Sequence, residues 1–498
     1  MSAERLPVIV GVGQLLQRGV PLSESLGPLE MLTQVAQRAA DDAGGGAQLL
    51  ASLDSISLVD ATGWHPSSSP SLLADAVGAQ PTTRVVTPIG GENGLALLNA
   101  TARRILAGDS RIAFVGGTHN LKTLRAAMKG GVHLPWPKGG EPAPKWFASA
   151  KPGESELEEK HGLSDPTVYY PLFENALRAR RGSSPADHLE ALGRLFSPFT
   201  TVAKHNPHAW FPVERSAQEL STVTADNRMI AYPYPKYLNS VLDTDQAAGL
   251  IVMSTEAAEA LGIPASRRVH WLGGAYTQER SWFVSQRQQL SRSVALEACA
   301  QRAFQSTGLG IDDIDMVDFY SCFPVAVELA CEAYGIAEDD PRGLTVTGGL
   351  PYAGGPASNY TTHAVATMVE RLRDGRGSIG LATGNGWYLT KHSATLLGTE
   401  PPDNLTDATP IASPAIGEPA MPIALEPSGP GEVETYTVIY DRQGAPQRGI
   451  VLGRLDSGER FVANTPSDRA LLESMVASEF CGQRGTLSCH DGLGRFET

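Results

Sequence analysis

Basic charge, cysteine and long apolar runs are all scarce in this chain of 498 residues. With 40 Lys and Arg against 54 Asp and Glu, the formal net charge is −14 and the sequence pI about 5.3. A general nucleic-acid binder is excluded, because a phosphate backbone demands a basic face, whereas a small anion on a local basic patch is not. The five cysteines (299, 322, 331, 481 and 489) form no tight pairs, which fits reduced thiols in a cytosol rather than a disulfide framework. Cys481 and Cys489-His490 lack zinc-ribbon spacing, so no metal site is expected. No window approaches the roughly 18 apolar residues of a membrane span, and the stretch from Met1 to Pro7 has no basic-then-apolar leader. The expected location is cytoplasmic. Neither a Walker loop nor a Gly-x-Ser-x-Gly elbow occurs.

What is present is an ordinary globular composition, 42% hydrophobic and 19% charged, in a length that suits two or three domains. From Val8 to Thr118 short β-branched runs alternate with amphipathic ones, the pattern of βα units on a mostly parallel sheet. Leu95, Leu98, Ala102, Ile105 and Leu106 share one helical face that stops at Gly108. The same grammar returns from Leu250 to Thr383. The junction from Arg104 through Gly108 to Ile112 overlays that from Arg371 through Gly375 to Ile379 without a gap, at a constant separation of 267 positions, which predicts a duplicated unit. Residues 1–118 and 244–400 are therefore read as two halves of one core. Between them, 119–243 is an inserted segment rich in Pro, Trp and Tyr. It carries Arg178, Arg180 and Arg181, which could meet a phosphate or simply form a solvated helix face. Residues 401–430 read as a Pro-rich linker, and the alternating strands of 431–498 as a small barrel of the oligonucleotide/oligosaccharide-binding type.

Four loops could carry chemistry. Gly11-Val12-Gly13 follows a strand as in a dinucleotide fingerprint, but Leu16 stands where the third glycine belongs, so this is not one of them. Pro88 to Leu95 leads from a strand into a helix, where backbone N–H groups favour an anion or a nucleophile. Thr347 to Asn359 reaches its helix through glycines, which also fits a plain turn with Asn359 as N-cap. In Asp318 to Pro324, Cys322 lies just ahead of a helix beginning at Pro324, a position that lowers a thiol pKa. Ala382-Thr383-Gly384-Asn385-Gly386 follows the last strand of the repeat.

In this order, on a duplicated scaffold with a central insertion, these loops resemble the thiolase superfamily over roughly Leu6 to Pro401. The Cys-x-Ser-Gly elbow of thiolases corresponds to Gly91-Glu92-Asn93-Gly94, the Asn-Glu-Ala-Phe or His-Asp-Cys-Phe loop to Tyr320-Ser321-Cys322-Phe323, the Gly-His-Pro motif to Gly354-Gly355-Pro356, and the final Cys-x-Gly to Ala382-Thr383-Gly384. With the extra C-terminal barrel, the chain is similar to the branch called thiolase-like protein type 1.

The resemblance implies an α/β fold, a duplicated βαβαβαββ unit layered α/β/α/β/α, plus the all-β barrel. It implies coenzyme A or acyl-CoA as ligand, with Gly91, Asn93, Tyr320, Gly349, Gly355, Pro356, Asn385 and Gly386 facing it and no metal. Gly91 and Gly355 stand in place of the thiolase cysteine and histidine, which leaves Cys322 as the candidate reactive residue. An ordinary thiolase reaction is not expected, since loss of one member of a cooperating nucleophilic set costs roughly 10⁴ to 10⁶ in kcat. Two readings remain: binding of a CoA thioester without turnover, or acyl transfer or hydrolysis through Cys322. A third gives the barrel a role in docking a partner enzyme. Either a monomer or a homodimer fits.

Overall fold

The structure is a computed structural model that describes residues 5–148, 150–402 and 415–498. Its first half runs β1 (Pro7–Leu16), α1 (Pro28–Asp42), β2 (Ser55–Leu58), α2 (Ser69–Val77), β3 (Thr83–Val86), α3 (Asn93–Ala107) and β4 (Ile112–Asn120). The insertion follows with its two long helices, α4 (Pro166–Arg181) and α5 (Pro185–His205), and β5 (Asp245–Ser254) completes the half. The second half repeats the order as β6 (Val269–Gln278), α6 (Val294–Thr307), β7 (Met316–Asp318), α7 (Pro324–Tyr334), α8 (Tyr360–Arg373), β8 (Ile379–Gly386) and β9 (Lys391–Gly398). Both α3 to α8 and β4 to β8 are displaced by 267 positions at their first residues.

The strands form one sheet in the order β7-β8-β9-β6-β1-β5-β4-β2-β3, ending in a two-residue strand, Lys145–Trp146, parallel to β3. The two halves join where Val8 and Ile9 of β1 pair with His270 and Val269 of β6. Helices α3 and α8 contact each other and strands of both halves, α1 covers the outside of the first half, and α6 that of the second. The layers are thus α/β/α/β/α. The central layer is apolar because Leu95, Leu98 and Ala102 of α3 meet Val365, Ala366 and Val369 of α8 in one buried cluster. Gly11 and Gly13 of β1 serve this packing rather than a nucleotide: a Cβ on either would run into the main-chain oxygen of Ala39 or Val35 on α1.

In the second half the third strand is replaced by an irregular segment organised by the buried Asp318. Its carboxylate accepts from Val346 N and Thr345 Oγ1, both at 2.9 Å, and from Tyr360 Oη at 3.0 Å. Residues 245–254, read with the second half, belong to the first, because β5 pairs with β1 on one side and β4 on the other.

The C-terminal strands are β10 (Gly429–Tyr440), β11 (Pro446–Leu455), β12 (Arg460–Asn464), β13 (Arg484–His490) and β14 (Leu493–Glu497), with α9 (Arg469–Ala477) between β12 and β13. They close in the order β11-β12-β14-β13-β10 and back to β11, and the β12–β14 pair is parallel. This is a closed five-stranded barrel with its helix after the third strand. It is joined to the rest by polar contacts across the interface: Asn175 of α4 donates to the Tyr436 carbonyl at 2.9 Å, and the wholly buried Arg460, paired within the barrel with Glu434 at 2.7 Å, donates to the Arg287 carbonyl.

Of the Pro-rich stretch read as a linker, residues 403–414 lie outside the described residues. From 415 onward the chain is anchored rather than free, since Ile416 N donates to Gln278 O at 2.8 Å and Met421 N to Gln286 O at 2.9 Å. No helix among the described residues is long and apolar enough to cross a membrane.

Candidate functional site

The loops after β3, β7 and β8 and the segment before α8 converge at one end of the core, where they and the insertion line a partly open cavity of about 200 Å³. Gly90 and Gly91, Tyr320 and Cys322, Asn385, and Ala357 and Ser358 form its wall, completed by His119 and by Tyr170, Ser240 and Leu242 of the insertion. A second chamber of about 660 Å³, walled by Trp146, Trp282 and Tyr276 with Lys391, shares Thr62, Ile89 and Trp387 with the first.

Cys322 is buried in this wall. The Asn385 amide donates to the Tyr170 hydroxyl at 2.8 Å and approaches Cys322 Sγ at 3.8 Å, and the Tyr170 ring stacks on Phe323 at 4.4 Å. The sequence places Cys322 ahead of a helix, where a thiol pKa falls; the structure reverses that expectation. Burial pushes the thiol up to about 12, outweighing the Tyr170 hydroxyl, the main-chain N–H groups of Phe323 and Cys322, and the Asn385 amide. The group is a neutral thiol at neutral pH.

Gly91 stands at the elbow, but the space a side chain would need there is taken. A Cβ would fall on the Tyr320 hydroxyl and come within 2.5 Å of the Asn385 carbonyl. Gly355 lies one layer behind the wall, where a Cβ would approach Ser240 Oγ to 2.5 Å, and its N–H donates to Val241 O at 2.9 Å.

Of the positions expected to face a ligand, Gly91, Tyr320 and Asn385 line the cavity together with Cys322. Asn93, Gly349, Gly355, Pro356 and Gly386 do not, and each has a structural reason. Asn93 donates to Pro88 O at 2.7 Å and so ties the loop to itself. Gly349 adopts φ +79 beneath Ser321, Pro356 N-caps the turn into α8, and Gly386 is pressed against the Glu92 carboxylate. That carboxylate, wholly buried, pairs with Lys391 at 2.6 Å. Asn359 is not a side-chain cap; it reaches the other half, donating to Gly117 O at 2.7 Å. Nor are the three arginines available for a phosphate. Arg178 pairs with Glu479 at 2.7 Å, Arg180 with Glu332 at 2.5 Å and Arg181 with Glu328 at 2.6 Å.

His119, Tyr170 and Ser240 carry no motif and were not legible as site residues. His119 is 1% exposed, its Nε2 lies 2.8 Å from the Leu242 carbonyl, and burial lowers its pKa to about 4, so it is neutral. Four buried polar atoms on cavity-lining residues, Thr62 Oγ1, His119 Nδ1, Ser240 Oγ and Asn385 Oδ1, have no hydrogen-bond partner among the described residues. Each such atom costs about 1–3 kcal/mol unless a water or a ligand reaches it.

Five layers, a duplicated unit and strand-end loops converging beneath an insertion define a protein of the thiolase class. Comparison with known proteins agrees. The profile described as "Thiolase-like protein type 1 additional C-terminal domain" matches residues 411–492. A monomeric SCP2-thiolase-like protein type 1 from Mycobacterium smegmatis superposes with a TM-score of 0.85 at 33% identity, covering 100% of both chains. The acetyl-CoA acetyltransferase of Syntrophomonas wolfei, at 15% identity and a TM-score of 0.58 over 79% of this chain and 99% of that one, shares the fold alone. In sequence, the chain is 26% identical over 202 residues to the benzoylsuccinyl-CoA thiolase subunit BbsB of Thauera aromatica, a match spanning 40% of this chain and 46% of that relative. The chain belongs to the SCP2-thiolase-like protein type 1 family.

Proposed function

We propose that the chain binds coenzyme A or a CoA thioester and does not turn it over by the thiolase route. The observation that carries this reading is the Tyr320 hydroxyl, which occupies the space into which an elbow side chain at Gly91 would project. Thiolase chemistry needs a thiolate at the elbow and a histidine to generate it, and both corresponding positions are glycines packed against neighbours. The relatives named for CoA thioesters support the ligand class, and the orphaned polar atoms support a ligand in the cavity.

If the ligand binds the folded state alone, coenzyme A at 100 times its Kd stabilises by about 2.7 kcal/mol. Thermal denaturation should therefore shift upward with ligand concentration, and a flat titration to millimolar coenzyme A would end the proposal. Acyl transfer through Cys322 is the competing reading, favoured by its place in the wall and opposed by its protonated state. Turnover of an acyl-CoA that vanishes in Cys322→Ala would establish it; no turnover in wild type removes it.

A further inference from the structure

Resting on the coenzyme A reading, we propose that His119 is a specificity-determining residue that accepts an amide N–H from the thiol-bearing arm of the ligand, with Asn385 and Ser240 completing the recognition. His119 is the penultimate residue of β4, and its Nε2 lies 2.8 Å from a carbonyl oxygen, which can only accept. Nε2 therefore carries the proton, the tautomer is fixed, and Nδ1 is left as a lone-pair acceptor with no donor among the described residues. Asn385 spends its amide nitrogen on Tyr170 and Cys322, which leaves Oδ1 as a second acceptor, and the Ser240 hydroxyl is free to give or receive.

The rest of the wall is largely aromatic and aliphatic, as at Tyr170, Leu242, Phe323 and Leu350. Two neutral acceptors and two hydroxyls, Ser240 and Thr62, in a largely apolar cleft suit a neutral chain that alternates N–H donors with carbonyls. They repel a carboxylate or phosphate, whose oxygens would face lone pairs. A secondary-amide arm such as that of pantetheine has this chemistry; the anionic end of the same ligand does not and is placed outside the inner cavity.

The test uses pantetheine and the intact chain. His119→Gln puts its amide where Nε2 stood and keeps the contact with Leu242, whereas His119→Asn puts an acceptor where Nδ1 stood. Titration calorimetry should show binding weakened about tenfold in His119→Gln and held within about threefold in His119→Asn. Of two pantetheine analogues, each with one amide nitrogen replaced by an ester oxygen, one should lose about tenfold against wild type and nothing further against His119→Gln. In wild type the His119 Nδ1 nitrogen resonance should move upfield when pantetheine is added, which a merely structural histidine would not do. Equal affinity of wild type and His119→Gln, with an unmoved resonance, overturns the assignment while leaving coenzyme A binding intact. Failure of wild type to bind either coenzyme A or pantetheine overturns the underlying reading as well.

Discussion

The starts of α3 and α8 are two copies of one strand-to-helix junction, and they meet in the structure, where Gly90 N donates to Ser358 Oγ at 3.1 Å. Yet they are secured by different means. In the first half a buried carboxylate, Glu92, reaches Lys391 of the second half at 2.6 Å. In the second half a neutral amide, Asn359, reaches Gly117 of the first at 2.7 Å. Each copy is thus held by the other, one through charge and one without it. Duplication preserved the path of the backbone, while the side chains that pin it diverged, so the two junctions should fail under different perturbations.

The largest contrast is expected from Lys391→Met, which leaves the Glu92 carboxyl buried and without its ion-pair partner. A loss of about 3–5 kcal/mol in urea denaturation is expected, with the double variant Glu92→Gln/Lys391→Met recovering a good part of it. A loss below about 1 kcal/mol would erase the distinction.

Next is pH. Burial depresses His119 from 6.5 to about 4 beside Arg125 and Asp243, so the unfolded chain takes up the proton more readily. Its contribution, roughly 3 kcal/mol, is present above pH 6.5 and lost as pH falls toward 4, and His119→Asn should flatten that limb. Asn359→Ala, which removes one neutral hydrogen bond, should cost about 1–3 kcal/mol with little dependence on salt.

The smallest effect lies on the opposite pH limb. Burial, and then the neighbouring Glu174 carboxyl, raise Glu328 well above its usual value, while His188 and Arg181 offset part of the shift. The folded chain holds this proton more tightly, so stability is full below pH about 4.3 and declines as pH rises toward the elevated value. Glu328→Gln should reduce that decline in alkaline denaturation profiles.

Much of the architecture could be read before the structure, because it is written in local periodicity. The apolar face from Leu95 to Leu106 marks α3, Gly108 ends it, and the constant displacement reproduces α8 and β8. The loops around Gly91, Tyr320, Cys322 and Asn385 were legible because glycines and a strand-to-helix change punctuate them. What pairs with what across hundreds of residues was not. Arg178 reads as a solvated basic group until α4 is seen packed on the barrel, and Asn359 reads as a cap until Gly117 is beside it. His119 has no periodic or motif signal at all; it becomes a site residue only because β5 pairs with β4 and the insertion brings the Leu242 carbonyl to it. The sense of the Cys322 shift was misjudged because helix position is visible in sequence and burial by a distant insertion is not.

Strand β3 carries one more consequence, on its outer margin. An unpaired strand at the rim of a sheet is a row of vacant donors and acceptors that invites another chain to add itself. Here Lys145–Trp146 has already occupied that row, pairing with Val85 and Val86 from within the same molecule. A second copy could pair with β3 itself along this stretch only by first peeling the chain's own ribbon away, so association through β3 comes at the expense of an existing bond pattern rather than by filling a gap.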